Sequence, residues 1–330
     1  MRKVDMYLKE VLDKVMNEGY VSPPSRAVYI DENGVEVPAT TKYIINHNEV
    51  YDIGAGEFPV TSTRPIYWQK AFGELLWMLV DKSNVVRYTL LGEEDTNSNQ
   101  SIAEAKAKMC NLQVSLEGKY NVGWWREWTY QKPLPEYGLV AHHIGNTYGA
   151  IVRETNSFEK LVNSFKENKY SRRAIHTFWQ LEELGYLYND FSKGKEAKLP
   201  PCFYQFILET RNTSEGEKLD MILTARSSDY LMAGNQDRIQ YTMLLLVLAT
   251  HFGMKPGNLH VQYINLHIYN GQFGVVEEFK KRLEQLSHED EQEPFFGYTG
   301  DGDLNNIKME DFFVGGYQPI KPQIKMPLAI

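Results

Sequence analysis

The residues of this chain with the clearest capacity for chemistry lie in two short segments, one holding a cysteine and one holding charged side chains. Cys202 follows Leu199-Pro200-Pro201, and the segment Arg226-Ser227-Ser228-Asp229 begins 24 residues after Cys202. A cysteine thiolate can add to an electrophilic carbon and later leave it, so it can carry a covalent catalytic step. A cysteine after prolines is a weak signal by itself, because such a residue is more often a small buried apolar one. The order and spacing of the two segments therefore count for more than either residue type alone.

Three further segments place polar side chains among apolar ones. Glu74 lies within Phe72-Gly73-Glu74-Leu75-Leu76-Trp77, where a carboxylate is costly unless it is paired or functional. His267 and Tyr269 lie on one face of a predicted strand, because strand side chains alternate between faces. A hydrogen-bonded core histidine is the alternative for His267. Asp237 stands at the start of an apolar segment with helical length.

Composition and charge limit the classes of protein to which the chain can belong. It has 330 residues, of which 42% are hydrophobic and 24% are charged, as in an ordinary soluble globular protein. A net charge of −8 argues against a protein that coats nucleic acid. The two cysteines, Cys110 and Cys202, are too few for a disulfide framework. No apolar segment approaches the roughly 18 residues of a membrane span, so we expect a cytoplasmic protein without membrane or nucleic-acid partners.

Hydrophobic periodicity predicts the elements that must position these side chains. Helices are predicted at 3–18, 66–80, 157–168 and 237–252, and strands at 42–51, 174–180, 202–210 and 260–269. Pro256-Gly257 is predicted to end the last of these helices. Polar segments near 91–120 and 181–198 predict surface insertions, and the proline-containing tail at 317–330 predicts no helix. No repeat or linker divides the chain, so residues 1–330 are predicted to form a single α/β domain.

Together these motifs resemble the thymidylate synthase superfamily. The resemblance rests on Pro200-Pro201-Cys202, on residues 226–241 and on Leu266-His267-Ile268-Tyr269, and it covers most of residues 50–273 and the tail. It implies an α/β (α+β) fold with a mixed sheet packed by helices, and a homodimer formed through that sheet. It also implies transfer of a one-carbon unit from 5,10-methylenetetrahydrofolate to carbon 5 of a pyrimidine nucleotide, without a metal.

The resemblance assigns a role to each candidate residue. Cys202 becomes the nucleophile that adds to carbon 6, and Glu74 becomes the residue that orders water and relays protons. The nucleotide is assigned to a set of side chains in which the arginine pair reaches across the dimer: Arg226, Ser227, Arg172, Arg173, His267, Tyr269 and Tyr148. The folate is assigned to a second set, which includes the closing C-terminal tail: Asp229, Trp125, Trp128, Arg64 and Ile330.

Asp237 is the departure from the family pattern with the largest consequence. Thymidylate synthases carry an asparagine at this distance from the Arg-Ser motif, and its carboxamide matches the O4 acceptor and N3–H donor of uracil. Cytosine presents an amino donor at N4 and an acceptor at N3, which a carboxylate with a shared proton can match. Facing uracil O4, the same carboxylate would cost about 1–3 kcal/mol. The sequence therefore predicts that Asp237 selects cytosine.

Further departures resemble the deoxycytidylate hydroxymethylases, a viral branch of the superfamily. Phe203 replaces the histidine usual after the nucleophile, Ala225 replaces a glutamine, and Ala233 replaces a glycine. This branch implies that water adds to the methylene intermediate and gives 5-hydroxymethyl-dCMP, in a host cytoplasm if the protein is viral. Two elements do not match: residues 37–42 hold no phosphate-loop arginine, only Lys42, and Gln205-Phe206 lies closer to the nucleophile than in the family.

Several alternatives stay open from the sequence. Hydride from the folate in place of water would give a methylated dCMP or dUMP, and the family-like tail favours this outcome because tight closure excludes water. CMP could replace dCMP as the nucleotide. A non-catalytic nucleotide-binding dimer is a further alternative, against which the joint presence of Cys202, Glu74 and Asp229 argues.

Overall fold

The computed structural model describes residues 1–24, 27–30, 34–180, 199–287 and 292–329. The chain divides into two units. The first comprises Met1–Trp68, Asn168–Ala174 and Gln205–Ile330, and the second comprises Gln69–Glu167 and Ile175–Tyr204. The predicted surface insertion at 181–198 and the terminal Ile330 lie outside the described residues. The single catalytic domain over 1–330 stays a prediction.

The helices of the described residues are α1 (Lys3–Glu18), α2 (Trp68–Leu79), α3 (Asn97–Met109), α4 (Leu116–Tyr120), α5 (Gly149–Thr155), α6 (Ser157–Glu167), α7 (Gly234–His251) and α8 (Val276–Ser287). The strands are β1 (Tyr20–Val21), β2 (Val28–Ile30), β3 (Glu36–Pro38), β4 (Thr41–Asp52), β5 (Val85–Leu90), β6 (Tyr130–Leu134), β7 (Leu139–His143), β8 (Ile175–Thr177), β9 (Phe203–Thr213), β10 (Gly216–Ala225), β11 (Ser228–Asp229), β12 (Lys255–Tyr269), β13 (Phe295–Tyr298) and β14 (Phe312–Gly315).

A mixed sheet forms the centre of the first unit. Its strands lie in the order β1, β4, β12, β10, β9, with β11 beside the end of β12. Strand β4 runs antiparallel to β12, whereas β10 and β11 run parallel to it. The predicted mixed sheet is therefore confirmed, and it brings the segment after β10 next to the end of β12.

Helix α7 packs in the interior of the first unit. Every residue from 238 to 249 is buried, including the polar Gln240 and Thr242. A helix that is buried on all sides has no polar face, and its apolar side chains accordingly do not follow a single stripe. The predicted central buried helix at 237–252 is confirmed, and it begins three residues earlier than predicted, at Gly234.

The second unit holds a three-stranded antiparallel sheet in the order β5, β7, β6. Helix α3 packs on this sheet through Ala103 and Ala107, which are buried together with Val85 and Tyr88. This helix lies in the segment near 91–120 that the sequence predicts as a surface insertion. Its start at Asn97 is stabilised by the Thr96 side chain, which accepts a hydrogen bond from the Asn99 N–H at 3.3 Å.

The remaining predicted elements are confirmed, with two corrections. Strand β8 ends at Thr177, earlier than predicted, because the Thr177 hydroxyl accepts the Trp179 N–H at 3.0 Å and turns the chain. Pro256-Gly257 does not end α7 but lies within β12, which was predicted to begin only at His260. A Cβ on Gly257 would lie 2.0 Å from Asp220 Oδ1, so the glycine allows the close approach of the irregular part of β10.

Candidate functional site

Cys202 lies immediately before β9, in the second unit, among aromatic side chains. It is half-buried, and its N–H donates a hydrogen bond to the Tyr148 hydroxyl at 3.0 Å. The Tyr148 ring is buried and contacts Trp125 at 5.7 Å and Phe178 at 5.2 Å between ring centroids. The backbone of the predicted nucleophile is thus fixed by a tyrosine that is itself held between two rings.

The Tyr148-Gly149 turn has an uncommon backbone conformation. Tyr148 has a φ of 44°, in a region that L-residues with bulky side chains rarely adopt. At Gly149 a Cβ would lie 1.9 Å from the Ser83 carbonyl oxygen, so only glycine allows α5 to start there. Strain of this kind persists where the surroundings require it and is frequent at functional sites. Here it places the Tyr148 hydroxyl against Cys202.

Glu74 extends the same cluster. It lies on α2, is only 6% exposed, and accepts a hydrogen bond from the Trp125 indole N–H. Trp125 in turn contacts Trp128 edge-on, with ring centroids 5.8 Å apart. The second unit therefore brings together five residues that the sequence predicted from separate segments: Cys202, Glu74, Trp125, Trp128 and Tyr148.

The predicted phosphate-binding segment lies beside the end of β12 in the first unit. Asp229 is paired in register with His267, and the Tyr230 N–H donates to the His267 carbonyl at 3.1 Å. The Asn265 N–H donates to the Arg226 carbonyl at 3.3 Å. Arg226 and its neighbour Ser227 are half-buried. The Arg-Ser motif and the histidine are thus adjacent in space, as the resemblance implies.

His267 is kept neutral by its surroundings. It is 6% exposed, its Nδ1 lies 3.0 Å from Asn265 Oδ1, and its ring contacts Tyr269 edge-on at 4.9 Å. Burial lowers the pKa of His267 to about 4, despite the hydrogen bond with Asn265, and the charge of Arg226 lowers it further. At neutral pH His267 can therefore donate or accept a hydrogen bond without carrying a charge.

Asp229 is a carboxylate with an unusual protonation equilibrium. Its Oδ2 accepts the Gln272 side-chain N–H at 2.7 Å, and its Oδ1 accepts the Met232 N–H at 3.2 Å. Burial raises the pKa of Asp229 to about 6, although these hydrogen bonds and the charge of Arg64 oppose the shift. A carboxylate has about four acceptor positions, so Asp229 keeps capacity for a ligand that presents N–H groups, as a pterin ring does.

Gln272, which the sequence did not single out, contacts the candidate site. It is fully buried, and besides binding Asp229 its Oε1 accepts the Tyr269 N–H at 3.4 Å. The signal was its position three residues after Tyr269, from which a Gln side chain at a helix start can reach back to the capping backbone. Gln272 therefore links the segments that carry Asp229 and Tyr269.

Arg64, predicted to bind the glutamate tail of the folate, lies in the interior of the first unit. It is 4% exposed, and its Nη2 donates to the carbonyls of Leu231 at 2.7 Å and Met232 at 3.0 Å. Burial lowers the pKa of Arg64 to about 10, with the Tyr317 and Asp229 groups opposing the shift. These contacts stabilise the segment between Asp229 and α7, and a contact with the folate tail stays a prediction.

Asp237 and the arginine pair also belong to the first unit. Asp237 is half-buried on the first turn of α7, with its N–H bonded to the Ala233 carbonyl at 3.1 Å. Arg172 and Arg173 are exposed. Among the described residues there is no cluster of His, Cys, Asp and Glu that could hold a metal ion. No helix in the described ranges is long and apolar enough to cross a membrane.

Comparisons with known proteins agree with the resemblance. The family model described as thymidylate synthase matches residues 6–330. Similar relatives include the thymidylate synthases of Streptococcus pyogenes serotype M5 (strain Manfredo), 33% identical over 332 residues, and Streptococcus thermophilus (strain ATCC BAA-491 / LMD-9), 32% identical over 330 residues, each with both chains fully covered. The fold is similar to that of thermostable thymidylate synthase A from Bacillus subtilis, with a TM-score of 0.70, 21% identity and 99% of each chain covered. The chain belongs to the thymidylate synthase family.

Proposed function

We propose that this protein transfers a one-carbon unit from methylenetetrahydrofolate to carbon 5 of dCMP and that the product carries a methyl group. Family membership and the named relatives, which are thymidylate synthases, support a methyl product over a hydroxymethyl one. The observation that carries the choice of base is Asp237, half-buried on the first turn of α7. The proposal thus combines the reaction type of the family with a different pyrimidine.

The hydrogen-bonding pattern of the base supports cytosine. A carboxylate only accepts hydrogen bonds when it is ionised, and gains one donor when it is protonated. The amino group at N4 of cytosine donates to one oxygen of Asp237, and a proton shared with N3 satisfies the other. Uracil would set its O4 against a carboxylate oxygen, which leaves two acceptors opposed and costs about 1–3 kcal/mol.

The proposal assigns the covalent step to Cys202. Its thiolate adds to C6 of the base, which makes C5 nucleophilic, and it leaves again when the C5 proton has been removed. The Tyr148 hydroxyl bonds to the Cys202 N–H, and we assign the buried Glu74 to holding a water molecule and moving protons. Methylenetetrahydrofolate would supply the one-carbon unit and the hydride, with Asp229, Trp125 and Trp128 as the residues that hold it.

Hydroxymethylation of dCMP is the second candidate, favoured by two residues of this chain. Phe203 is 4% exposed and Ala225 is 0% exposed, so both positions are part of the apolar interior. Thymidylate synthases carry polar histidine and glutamine there, whereas the hydroxymethylase branch departs from that pattern. Water in place of hydride would then complete the reaction.

A homodimer is also part of the proposal. Arg172 and Arg173 are both exposed and are therefore accessible to the nucleotide phosphate bound by a second copy of the chain. Sedimentation of the purified protein tests the dimer. Mixing a Cys202→Ser chain with an Arg172→Ala/Arg173→Ala chain tests the shared site, because only a mixed dimer can restore one complete site.

The test of the reaction offers dCMP, dUMP and CMP side by side with methylenetetrahydrofolate. We expect 5-methyl-dCMP by mass spectrometry and an equal amount of dihydrofolate by absorbance. A hydroxymethylated nucleotide without dihydrofolate would establish the second candidate instead. A product from dUMP with none from dCMP would overturn the base selection.

The Asp237→Asn variant tests the base selection directly. We expect the ratio of kcat/KM for dCMP over dUMP to fall by about 100-fold, because the carboxamide matches uracil. Asp13→Asn, a change at a half-buried aspartate on α1, is the matched control and leaves the ratio unchanged. An unchanged ratio in Asp237→Asn would contradict the proposed role.

A further inference from the structure

A charged pair lies fully buried in the first unit, one residue along the chain from Asp237. Glu49 on β4 is 0% exposed and Arg238 on α7 is 1% exposed, and Arg238 Nη1 donates to Glu49 Oε2 at 3.0 Å. Removing two charges from water is costly, and their attraction repays this cost only in part. A buried ion pair is therefore weak evidence of a stabilising role, and its position requires another explanation.

Tyrosine hydroxyls complete the hydrogen bonding of the pair. Tyr51 and Tyr230 donate to Glu49 at 2.9 Å and 2.5 Å, and Tyr263 accepts from Arg238 Nη1 at 3.2 Å. Burial opposes the charge of Glu49, but Arg238 and further hydrogen bonds hold the pKa of Glu49 below its ordinary value. Glu49 likewise raises the pKa of Arg238 well above its ordinary value against the effect of burial. Both groups therefore stay charged in the working pH range.

The other donors of Arg238 fix the first turn of α7. Its Nη2 donates to Asn235 Oδ1 at 2.9 Å, and its Nε donates to the Pro59 carbonyl at 3.1 Å. Asn235 Oδ1 also accepts the Thr61 N–H at 3.1 Å. Asp237 lies between Asn235 and Arg238 on this turn. The backbone that carries Asp237 is thus held on both sides by contacts of the same guanidinium group.

Asp237 and the buried pair also share a neighbour on β12. Burial raises the pKa of Tyr263 well above its ordinary value, and the charges of Glu49 and Asp237 raise it further. Tyr263 therefore lies within electrostatic reach of both carboxylates, and it accepts a hydrogen bond from Arg238. A displacement of Arg238 would change the position of this tyrosine and the field at Asp237 together.

We propose that the Glu49–Arg238 pair is a positioning element that holds the Asp237 carboxylate in the orientation needed to discriminate cytosine from uracil. This inference rests on the proposed function, because it concerns the base that Asp237 selects. The pair acts through the first turn of α7 and through Tyr263, without touching the nucleotide. A shift of the Asp237 carboxylate by a fraction of an ångström weakens the hydrogen bonds that discriminate between the two bases. Loosening the first turn of α7 therefore affects base selection more than it affects the covalent step.

The double variant Glu49→Met/Arg238→Met tests the inference. Removing both charges avoids an uncompensated buried charge, which either single change would leave. We expect the ratio of kcat/KM for dCMP over dUMP to fall about 10-fold or more, mainly through a higher KM for dCMP, while kcat with dCMP changes less than about 3-fold. A purely structural role would lower the melting temperature without changing this ratio.

Arg211→Met is the matched control, since it breaks another guanidinium–carboxylate pair in the first unit, between β9 and β10. Arg211 donates to Asp220 at 2.7 Å and 2.9 Å, and the control should lower stability while keeping the wild-type ratio. Arg238→Lys is the conservative variant. It keeps a positive charge beside Glu49 but loses the guanidinium N–H groups that bind Asn235 and Pro59. It should therefore lower the ratio of kcat/KM for dCMP over dUMP by a smaller factor than the double variant.

The outcomes separate the inference from the proposed function. A wild-type ratio in the double variant overturns the inference, and if that variant does not fold, a wild-type ratio in Arg238→Lys overturns it instead. If the wild-type protein itself shows no preference for dCMP, and Asp237→Asn has no effect, the base selection has failed and the positioning role fails with it. A lowered ratio in the pair variants alone, with Arg211→Met unchanged, supports the inference.

Discussion

The surroundings of the predicted nucleophile and of the predicted base selector differ in kind. In the second unit Cys202 lies among aromatic rings, with its N–H bonded to a tyrosine in a strained conformation. In the first unit Asp237 lies on a helix turn that Arg238 ties to a buried network of charged and hydroxyl groups. Under the proposed function, packing would control the approach of the nucleophile, whereas fixed charges would distinguish two bases of the same shape. The covalent step and base selection would then depend on different physical interactions in this chain.

The largest expected effect belongs to the nucleophile. Cys202→Ser should lower turnover by at least about 1,000-fold, because a hydroxyl is a far weaker nucleophile than a thiolate. Turnover is measured with dCMP and methylenetetrahydrofolate, and folding is checked by circular dichroism. Cys110→Ser is the matched control, since Cys110 is the other half-buried cysteine, and it should leave turnover unchanged. Substantial turnover in Cys202→Ser would remove the covalent step from the mechanism.

A smaller effect is expected where packing fixes the nucleophile. Tyr148→Phe leaves the Cys202 N–H without its acceptor at a cost of about 1–3 kcal/mol, and we expect kcat to fall about 10-fold. Tyr88→Phe is the control: Tyr88 is a buried tyrosine of the same unit whose hydroxyl donates to the Gln113 carbonyl at 3.1 Å. Equal losses of kcat in the two variants would show that the Tyr148 hydroxyl has no specific role in positioning Cys202.

A third effect is expected from the hydrogen bonds to Asp229 in the first unit. Gln272→Leu removes a donor to the carboxylate, so the pKa of Asp229 should rise above its value of about 6. Carbon-detected NMR titration measures this shift, with the other carboxylates of the sample as the internal control. The KM for the folate should also rise by roughly 5-fold at neutral pH, if a charged Asp229 binds the pterin. A pKa that stays near 6 would contradict the role of Gln272.

The smallest expected net effect is on stability as a function of pH, because the shifted pKa values of His267 and Asp229 act in opposite directions. The pKa of His267 is about 4 in the folded protein, against an ordinary value of 6.5 that applies to the unfolded chain. Between these two pH values the unfolded state therefore binds more protons than the folded state. The free energy of unfolding accordingly falls as the pH drops from 6.5 to about 4. Asp229 acts in the opposite direction: its raised pKa makes stability fall as the pH rises from 3.8 to about 6. Each effect is bounded by about 1.4 kcal/mol per pKa unit.

Denaturant unfolding between pH 4 and 7 separates the two effects. His267→Gln should remove the loss of stability on the acid side, so that the variant gains relative to the wild type as the pH falls below 6.5. The same measurement on Gln272→Leu serves as the control for the opposite slope. A constant difference between His267→Gln and the wild type over this range would show that His267 does not carry the predicted shift.

Much of the fold follows from the sequence because it depends on local patterns. Helices α1, α6 and α7 and strand β4 lie within a few residues of their predicted positions, since hydrophobic periodicity reports directly on buried faces. The prediction for Pro256-Gly257 was wrong because proline and glycine predict a turn only from local sequence, and contacts with a neighbouring strand can override that preference. The approach of Asp220 to Gly257, from a neighbouring strand, decides that this pair lies inside β12.

The site divides in the same way. Cys202, Arg226 and His267 could be singled out from the sequence because each lies in a motif with characteristic spacing, and their roles stay predictions. Glu49 and Arg238 could not, because their meaning depends on a contact between residues 189 positions apart. A hint existed in the alternation of His47, Glu49 and Tyr51, which places a carboxylate on the buried face of β4.

Helix α7 has a consequence for how the first unit forms. Its residues 238–249 are all buried, and a strand that packs against it, β12, follows it in the chain. Until β12 is in place, the apolar side chains of α7 face water, so the helix cannot be stable by itself during synthesis. We therefore expect the amide hydrogens of its buried residues to exchange with solvent mainly when the whole unit opens, and to be among the slowest-exchanging in the unit.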